Sequence, residues 1–146
     1  MPVSLHAQPI EPWQLIQDYQ QSQTALQGKH GASVIFIGTM RDFNESDDVS
    51  HMHLEHYPGM TENYLNKIAQ QAMAQWDILD VFIAHRVGEV TPNQPIVVVA
   101  VWSAHRAASY EANRFLMEEL KARAPFWKKE RLTDGDDRWV THNTPG

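Results

Sequence analysis

Two runs of apolar, mostly β-branched residues constrain the fold more than any other feature of the sequence. They are ASVIFIG (32–38) and PIVVVAVW (95–102), and both are far shorter than the roughly 20 apolar residues of a membrane-spanning helix. Short continuous apolar runs bounded by glycine, proline and polar residues are typical of strands that are covered on both faces. The chain must therefore bury a sheet, and its 146 residues fit one domain, 1–146, with a sizeable core.

The other segments predict an alternation of helices and strand pairs. The predicted strands are 32–41, 49–57, 80–88, 95–103 and a short one at 138–142, and the predicted helices are 11–26, one capped by Thr61, and 105–122. The acidic stretch 43–48 and the turn-rich stretch 88–95 are predicted as loops. Because the strands come in adjacent pairs, we predict mainly antiparallel pairing in an α+β domain of two layers.

Composition and charge exclude several classes of function. The apolar content of 42% and the charged content of 21% are typical of a soluble globular domain. Residues 1–105 hold four Lys or Arg against eleven Asp or Glu, within a net charge of -6 for the chain. Since a duplex-binding domain is normally basic, we expect no nucleic-acid partner.

The sequence also limits the cellular location of the protein and the sulfur chemistry that its own side chains can perform. No segment is long and apolar enough for a membrane span, and MPVSLHAQPIEPW lacks the pattern of a secretory signal, so we expect no membrane association and a cytoplasmic location. The sequence has no cysteine, which excludes disulfides, zinc thiolates and cysteine nucleophiles. If the protein handles sulfur, another molecule must bring it.

The stretch LKARAPFWKKER (120–131) departs from the acidic background, with five basic residues, one acid and two adjacent aromatic residues. It is compatible with a nucleic-acid patch, a solvated face or a pocket for a small anion. Lysines such as Lys121 and Lys128, held near apolar rings and other cations, lose proton affinity because burial and like charge disfavour the ammonium form. Such lysines can act as general acids or bases near neutral pH, and Arg41 could supply a third cation.

The helix predicted over 105–122 has two different sides. At 100° per residue, one apolar side is expected to face the core, and it carries Ala108, Ala112, Phe115 and Leu116. The other side is expected to face outwards, and it carries Arg106, Tyr110, Asn113, Met117 and Lys121.

His105 and Arg106 begin this helix, where unpaired N–H groups and the helix dipole favour an anion. Alternatively, Ser103 or His105 only caps the helix. Fifteen residues of helix separate Arg106 from Lys121 by about 22 Å, which is too far for one small ligand in a single chain. The two residues therefore serve different sites, or two copies of the chain share a site. We favour the second hypothesis, a symmetric homodimer with composite sites.

The segment HMHLEH (51–56) offers a rival site. On a strand, His51, His53 and Glu55 point to one face, and two histidines with a carboxylate could hold a metal for a hydrolase. This reading leaves the basic stretch without a role, and neighbouring strand histidines are more often surface residues. We therefore expect no metal site.

Four collinear segments resemble the large, catalytic subunit of molybdopterin synthase, the MoaE family. They are LEHYPGMTE (54–62), HRVGEV (85–90), SAHR (103–106) and KARAPFWKKE (121–130), within a resemblance that runs from about Gly31 to Val140. The resemblance implies an α/β hammerhead-type fold with a mainly antiparallel sheet. It also implies an enzyme that converts cyclic pyranopterin monophosphate to molybdopterin by inserting two dithiolene sulfurs.

In this family the sulfur arrives as a thiocarboxylate on the C-terminal glycine of a small ubiquitin-like subunit, whose tail enters a pocket on the large subunit. The assembly is a heterotetramer with a central homodimer of large subunits. No metal or organic cofactor is implied for this chain. The missing cysteines agree with sulfur delivery by a partner.

The resemblance also implies roles for particular residues. Lys121 and Lys128 match the two functional lysines, with Lys121 as the main acid/base group and Lys128 stabilising the substrate and assisting proton transfer. The residues implied to bind substrate with them are Thr39, Met40, Arg41, Lys129 and Glu130 from the same chain and His105 and Arg106 from the other subunit. The implied pocket walls are Phe36 and Met117.

Two departures from the family pattern and one alternative function remain. Thr39 and Met40 replace a basic and a small β-branched residue, which puts fine substrate contacts there in question. The segment PNQP (92–95) replaces a glycine-acid turn, which is expected to affect only a hairpin. The alternative function is a dimeric module that binds the ubiquitin-like partner without turnover, and the presence of both lysines argues against it.

Overall fold

The structure is a computed structural model, and it describes residues 2–45 and 47–140. Its strands are β1 (Val3–His6), β2 (Ala32–Thr39), β3 (Phe43–Asn44), β4 (Asp47–His56), β5 (Asp80–Arg86), β6 (Gly88–Val90), β7 (Pro95–Ser103), β8 (Phe126–Leu132) and β9 (Asp137–Trp139). Its α-helices are α1 (Pro12–Ser22), α2 (Met60–Gln75) and α3 (Arg106–Arg123). The α+β class with mainly antiparallel sheets, as expected for the hammerhead type, is confirmed.

The larger sheet contains the two apolar runs and has the strand order β1-β5-β7-β2. The pairs β2–β7 and β5–β7 are antiparallel, and β1 runs parallel to β5. Alternate residues of β5 and β7 pack on opposite faces, as the twofold period of a strand requires. Val81, Ile83 and Val99 pack with α2 and α3, whereas Ala84 and Trp102 pack with α1. Helix α1 thus adds a layer that a two-layer description omits.

The smaller sheet contains β8, the strand that holds the second half of the basic stretch 120–131. Its order is β3-β4-β8-β9, with β6 paired to β4, and these pairs are antiparallel. One face is buried over a cluster that contains Met40, Val49, Met52, Leu54 and Val90. The other face of β4 and β8 is exposed, so successive side chains of β8 point alternately into a cavity and towards solvent.

Several boundaries differ from the predictions. Helix α1 ends at Ser22, and a short 3-10 helix, Thr24–Leu26, replaces the end of the predicted helix 11–26. The predicted loop 43–48 forms the β3–β4 hairpin, in which Phe43 pairs with Asp48. Strands β1, β6 and β8 were not predicted. Strand β8 was missed because its Lys and Arg residues are typical of a solvated segment. The strand predicted at 138–142 begins in β9, and its residues 141 and 142 lie outside the described residues.

The ends of α2 and α3 show how the basic stretch is held. Helix α3 ends at Arg123, and Ala124 is extended ahead of Pro125, as predicted. Thr61 is not the cap of α2, which begins at Met60. Its hydroxyl donates instead to the Pro125 carbonyl at 3.0 Å and accepts from the Tyr57 N–H at 3.1 Å. The start of α2 therefore fixes the turn between α3 and β8.

Across the described residues, none of the helices has the length and apolar character needed to cross a membrane.

Candidate active site

The turn at Pro125 brings Lys128 back beside Lys121. Lys121 lies in the last turn of α3, and β8 starts at Phe126, so the chain reverses within a few residues. Along β8, Phe126, Lys128 and Glu130 share one face because successive strand residues point to opposite sides. The side chains of Lys121 and Lys128 lie close enough for the charge of Lys121 to act on Lys128. The two lysines that the family resemblance singled out are therefore adjacent in space.

Both lysines line a cavity of ≈ 430 Å³ between the two sheets. The walls come from the end of β2, from β5 and β7, from the end of α3 and from β8. The lining residues include Phe36, Gly38, Thr39, Arg41, His85, Ile96, Val97, Leu120, Phe126 and Val140. The wall is thus apolar except for Thr39, His85 and three cations.

A smaller cavity of ≈ 120 Å³ adjoins the first and shares its two lysines. Thr39, Arg41 and Val140 also line both cavities. The residues found in the smaller cavity alone are Met40, Phe43, Asn44, Met52 and Glu130. The lysine pair consequently stands where two chambers meet, so that one group bound in each chamber could touch it.

The pKa of Lys128 is lowered from 10.5 to about 8. Burial is the largest cause, and the nearby positive charge of Lys121 adds to it, whereas Glu130 opposes it. Lys128 can therefore hold or release a proton near neutral pH.

Glu130 is a buried carboxylate, with 6% of its surface exposed, and it is held from two sides. The Asn44 amide donates to both carboxylate oxygens at 3.1 Å, and Arg138 Nε donates to one of them at 3.1 Å. Arg138 also donates to Asp47 Oδ2 at 2.7 Å and to the Asn44 carbonyl at 2.8 Å. This network ties β3, β4 and β9 to β8 and closes one side of the smaller cavity.

The strand end that carries Thr39, Met40 and Arg41 is fixed by the turn before β7. The Met40 N–H donates to the Gln94 carbonyl at 2.9 Å, and the Asn93 N–H donates to the Met40 carbonyl at 2.9 Å. The Arg41 guanidinium lies 4.9 Å from the centroid of the Phe43 ring. The PNQP turn, expected to affect only a hairpin, therefore also positions the β2 end of the site.

Lys129 does not lie with these residues, although it was expected to line the same pocket. Because it follows Lys128 on a strand, it points to the opposite, exposed face of the smaller sheet. There its Nζ lies 3.6 Å from an Asp137 oxygen and 5.7 Å from the Trp139 ring centroid. The opposite orientations of Lys128 and Lys129 were not predicted from the sequence KKE, because β8 was not predicted as a strand.

Two residues of the predicted outward side of α3 are buried instead. The Asn113 amide donates to the carbonyls of Val34 and Val99, at 3.0 Å each, so it packs against β2 and β7. Met117 is also buried and borders a groove between α3 and β2 that Phe36, Tyr110 and Lys121 line as well. Because Asn113 is polar, it was predicted to face outwards, and the predicted boundary between the two sides of α3 was therefore wrong.

His105 and Arg106 lie at the exposed beginning of α3, at the opposite end from Lys121. Within the described chain, the side chain of His105 makes no capping hydrogen bond. Ser103 uses its hydroxyl to donate to the His105 carbonyl at 2.6 Å, so it does not cap a helix N–H group. The first turn of α3 thus keeps its N–H groups available for an anion.

His51, His53 and Glu55 share the exposed face of β4, as predicted, and they line a separate cavity there. The two ring nitrogens of His53 already lie 3.0 Å from Glu55 Oε1 and 2.8 Å from Glu89 Oε1. His51 bonds through Nδ1 to the Ser50 hydroxyl at 2.9 Å. Over residues 2–45 and 47–140, no three His, Asp or Glu side chains converge as metal ligands would.

Sequence reasoning missed several residues that line the lysine cavities, among them Phe43, Asn44, His85 and Val140. Phe43 and Asn44 fall in the stretch predicted as a loop. His85 was quoted only as part of a motif, although a histidine at the end of the apolar run VFIAH was a visible signal. Its buried position could not be inferred without the turn that places Phe126 over it.

Comparisons with known proteins identify the family of this chain. The family model described as MoaE protein matches residues 5–123. The molybdopterin synthase catalytic subunit of Pasteurella multocida is 53% identical over 110 residues, which cover 75% of this chain and 73% of that protein.

Solved structures share the fold. Molybdopterin synthase from Staphylococcus aureus has a TM-score of 0.82 and 29% identity, with coverage of 94% of this chain and 96% of that one. A complex of subunits 1 and 2 of molybdopterin-converting factor from Helicobacter pylori contains a chain with a TM-score of 0.80, with coverage of 99% and 93%. At 18% identity the second likeness shows the fold alone. On the family match and the sequence identities, this chain belongs to the MoaE protein family.

Proposed function

We propose that this chain is the catalytic subunit of a cytoplasmic molybdopterin synthase, which converts cyclic pyranopterin monophosphate to molybdopterin by inserting two dithiolene sulfurs. The observation that carries the proposal is the adjacent pair of Lys121 and Lys128 at the junction of two cavities. A cationic, partly apolar chamber suits a flat pterin with a phosphate, and Lys128, with a pKa of about 8, is mostly charged at neutral pH and can also assist proton transfer.

The sulfur is delivered by a small ubiquitin-like subunit that carries a thiocarboxylate on its C-terminal glycine. The larger cavity, of ≈ 430 Å³, has the size for the pterin, and the smaller one, of ≈ 120 Å³, admits a narrow tail without bulky side chains. Sulfur delivery by a partner agrees with the absence of cysteine from this chain.

In each sulfur transfer, the thiocarboxylate sulfur forms a bond to a side-chain carbon of the pterin as a C–O bond of that carbon breaks, and the oxygen leaves as water or stays on the opened phosphate. Water then cleaves the acyl link, which returns the carrier as a carboxylate. A second loaded carrier repeats the step while the cyclic phosphate opens. Lys121 is the main acid/base group, and the Lys128 ammonium stabilises negative charge that develops on the substrate. Cations that are already fixed in place stabilise such charge more strongly than solvent does, because they need not reorient as the charge forms.

The surrounding residues have supporting roles in this proposal. Arg41, with Thr39 and Met40, contacts the substrate at the end of β2, and Glu130 holds the smaller cavity in shape beside Lys128. Phe36 forms a wall of the larger cavity, and Met117 borders the adjoining groove on α3. Lys129 has no part in the chemistry, because it lies on the exposed face.

We also propose that two copies of the chain form the core of the enzyme and that His105 and Arg106 reach the cavity of the partner copy. The length of α3 separates Arg106 from Lys121 by about 22 Å within one copy. Strand β2 is an edge of the larger sheet, and beside it Phe36 and Tyr110 are 39% and 63% exposed. A second copy on this face would cover those rings and bring the two ends of α3 together.

The test is single-turnover conversion of cyclic pyranopterin monophosphate by the purified protein with a thiocarboxylated carrier. We expect dithiolene product from the wild type and a rate about 100- to 1,000-fold lower for Lys121→Ala, since a group that acts in the transition state is lost. Lys129→Ala is the matched control, because it removes a neighbouring positive charge from the outer face, and it should keep the wild-type rate.

Two results would overturn parts of the proposal. If the wild type binds the carrier but forms no product, the chain is a binding module and not a synthase. If sedimentation shows a strict monomer at micromolar concentration, His105 and Arg106 cannot complete a site across two copies.

A further inference from the structure

His85 is a polar residue at the end of an apolar row. On β5 it shares a face with Val81 and Ile83, which lie in the core beneath α2 and α3. Its own exposure is only 3%, and its ring forms part of the wall of the larger cavity, together with Lys121 and Lys128. Burying an imidazole in place of an aliphatic side chain is unfavourable unless its nitrogens are bonded, so the position calls for a role.

Two contacts fix the His85 ring and its tautomer. Nδ1 lies 2.6 Å from the Arg86 carbonyl oxygen. A carbonyl oxygen can only accept, so Nδ1 carries the proton and Nε2 keeps its lone pair. The ring also stacks on Phe126, with centroids 3.9 Å apart and planes 15° from parallel. The position and direction of the Nε2 lone pair are therefore set by the backbone of β5 and by the first residue of β8.

The groups around His85 keep it an acceptor. The charged and titratable groups that act on its ring are Lys121 from α3, Lys128 from β8 and His56 from β4. Burial is the largest cause that lowers the pKa of His85 to about 3; these three groups act in the same direction, and the bond to the Arg86 carbonyl opposes them. The ring therefore stays neutral throughout the pH range in which Lys128 titrates.

The larger cavity is short of acceptors for its cations. Among the described residues that line it, three are cations and none is a carboxylate. The side-chain oxygen of Thr39 and the Nε2 atom of His85 are the acceptors in that lining. A neutral acceptor can bind an ammonium without neutralising it, which a carboxylate could not do.

We propose that His85 is a positioning residue, whose Nε2 atom accepts a hydrogen bond from the Lys128 ammonium and aims that group into the larger cavity. Lys128 is the partner because it lies two residues beyond Phe126 on the same face of β8, and Phe126 stacks on the His85 ring. Its charge also acts on His85 more strongly than that of Lys121. The inference rests on the function proposed for the lysine pair.

The first experiment uses the wild-type protein without substrate and follows the ¹⁵N resonances of His85. We expect the pattern of a neutral ring with the proton on Nδ1 and an Nε2 signal that shifts with a midpoint at pH about 8, when Lys128 loses its proton. The shift should vanish in Lys128→Met, where the donor is absent. An Nε2 signal that stays constant between pH 7 and 9 in the wild type, or a proton on Nε2, would overturn the proposal.

The second experiment compares two variants in single turnover and in the titration of Lys128. In His85→Leu the ammonium loses its acceptor, so the pKa of Lys128 should fall further, and the rate should drop about 10- to 100-fold through misplacement of that group. His85→Gln returns an acceptor near the Nε2 position and should restore both values in large part. Unchanged Lys128 titration in a folded His85→Leu protein would refute the role.

The two experiments separate this inference from the proposed function. The resonance and titration measurements need neither pterin nor carrier, so they report on the Lys128–His85 contact even if the chain has another substrate. Conversely, if the wild type turns over normally but shows no coupling between His85 and Lys128, only the positioning role of His85 is refuted.

Discussion

Replacing Lys128 by methionine should make the folded protein more stable while it abolishes turnover. Burial and Lys121 lower the pKa of Lys128 from 10.5 to about 8. At about 1.4 kcal/mol per pKa unit, the ammonium form is about 3 kcal/mol less favourable in the folded chain than in the unfolded chain. Because the folded pKa lies below the unfolded one, this destabilisation is fully present below pH 8 and is relieved as the pH rises towards 10.5.

The assay is urea unfolding of both proteins at pH 7 and at pH 10. We expect the free energy of unfolding of Lys128→Met to exceed that of the wild type by up to about 3 kcal/mol at pH 7. At pH 10 the folded wild type holds a neutral Lys128, so the difference should shrink to about 1 kcal/mol or less. Taking the difference between the two proteins removes the effects of other titrating groups.

Lys129→Met is the matched control, since it removes the next lysine along β8 from the exposed face. Its ion pair with Asp137 is long and partly exposed, so its loss should change the stability by about 0.5 kcal/mol or less, equally at both pH values. If Lys128→Met is less stable than the wild type at pH 7, or if its advantage does not depend on pH, the account of the buried ammonium is wrong.

Two further predictions concern the rate and the helix start. Since the proposed mechanism uses the Lys128 ammonium, the single-turnover rate should fall as the pH rises through about 8. Lys128→Arg should remove that fall because arginine stays charged. A wild-type rate that rises across this range would contradict the stabilising role. A Cβ at Gly31 would overlap the Ala104 carbonyl oxygen, so Gly31→Ala should lower the free energy of unfolding by about 1–3 kcal/mol in urea and shift the start of α3. Unchanged stability in that variant would show that the strand and the helix start can separate freely.

Much of the site could be anticipated from the sequence because the chemistry and the local structure point the same way. The apolar runs 32–38 and 95–102 predicted β2 and β7, and Pro125 predicted the end of α3. The pairing of Lys121 with Lys128 came from the family resemblance. The aromatic residues between them indicated burial, but no local rule shows that two lysines seven residues apart meet.

The remainder depended on contacts between distant segments. Whether Lys129 faces the cavity or the outside depends on β8 being a strand, which its polar composition hides. Likewise, Asn113 looks like a surface residue until its amide is seen to bind the carbonyls of Val34 and Val99. Tertiary hydrogen bonds of this kind override the polarity of a single position, and they cannot be read from helical spacing alone.

The network around Glu130 has a consequence for how the protein is made. Asn44 and Glu130, which meet at 3.1 Å, are 86 residues apart in the chain, and the Arg138 bond to the Asn44 carbonyl spans 94 residues. Contacts of such high sequence separation form slowly, because a long loop must close before they contribute. A nascent chain that has left the ribosome only as far as α3 therefore has the lysine of that helix but no chamber beside it. The pocket around Lys121 and Lys128 is therefore a late product of folding, and ribosomal stalling before β8 yields a chain without it.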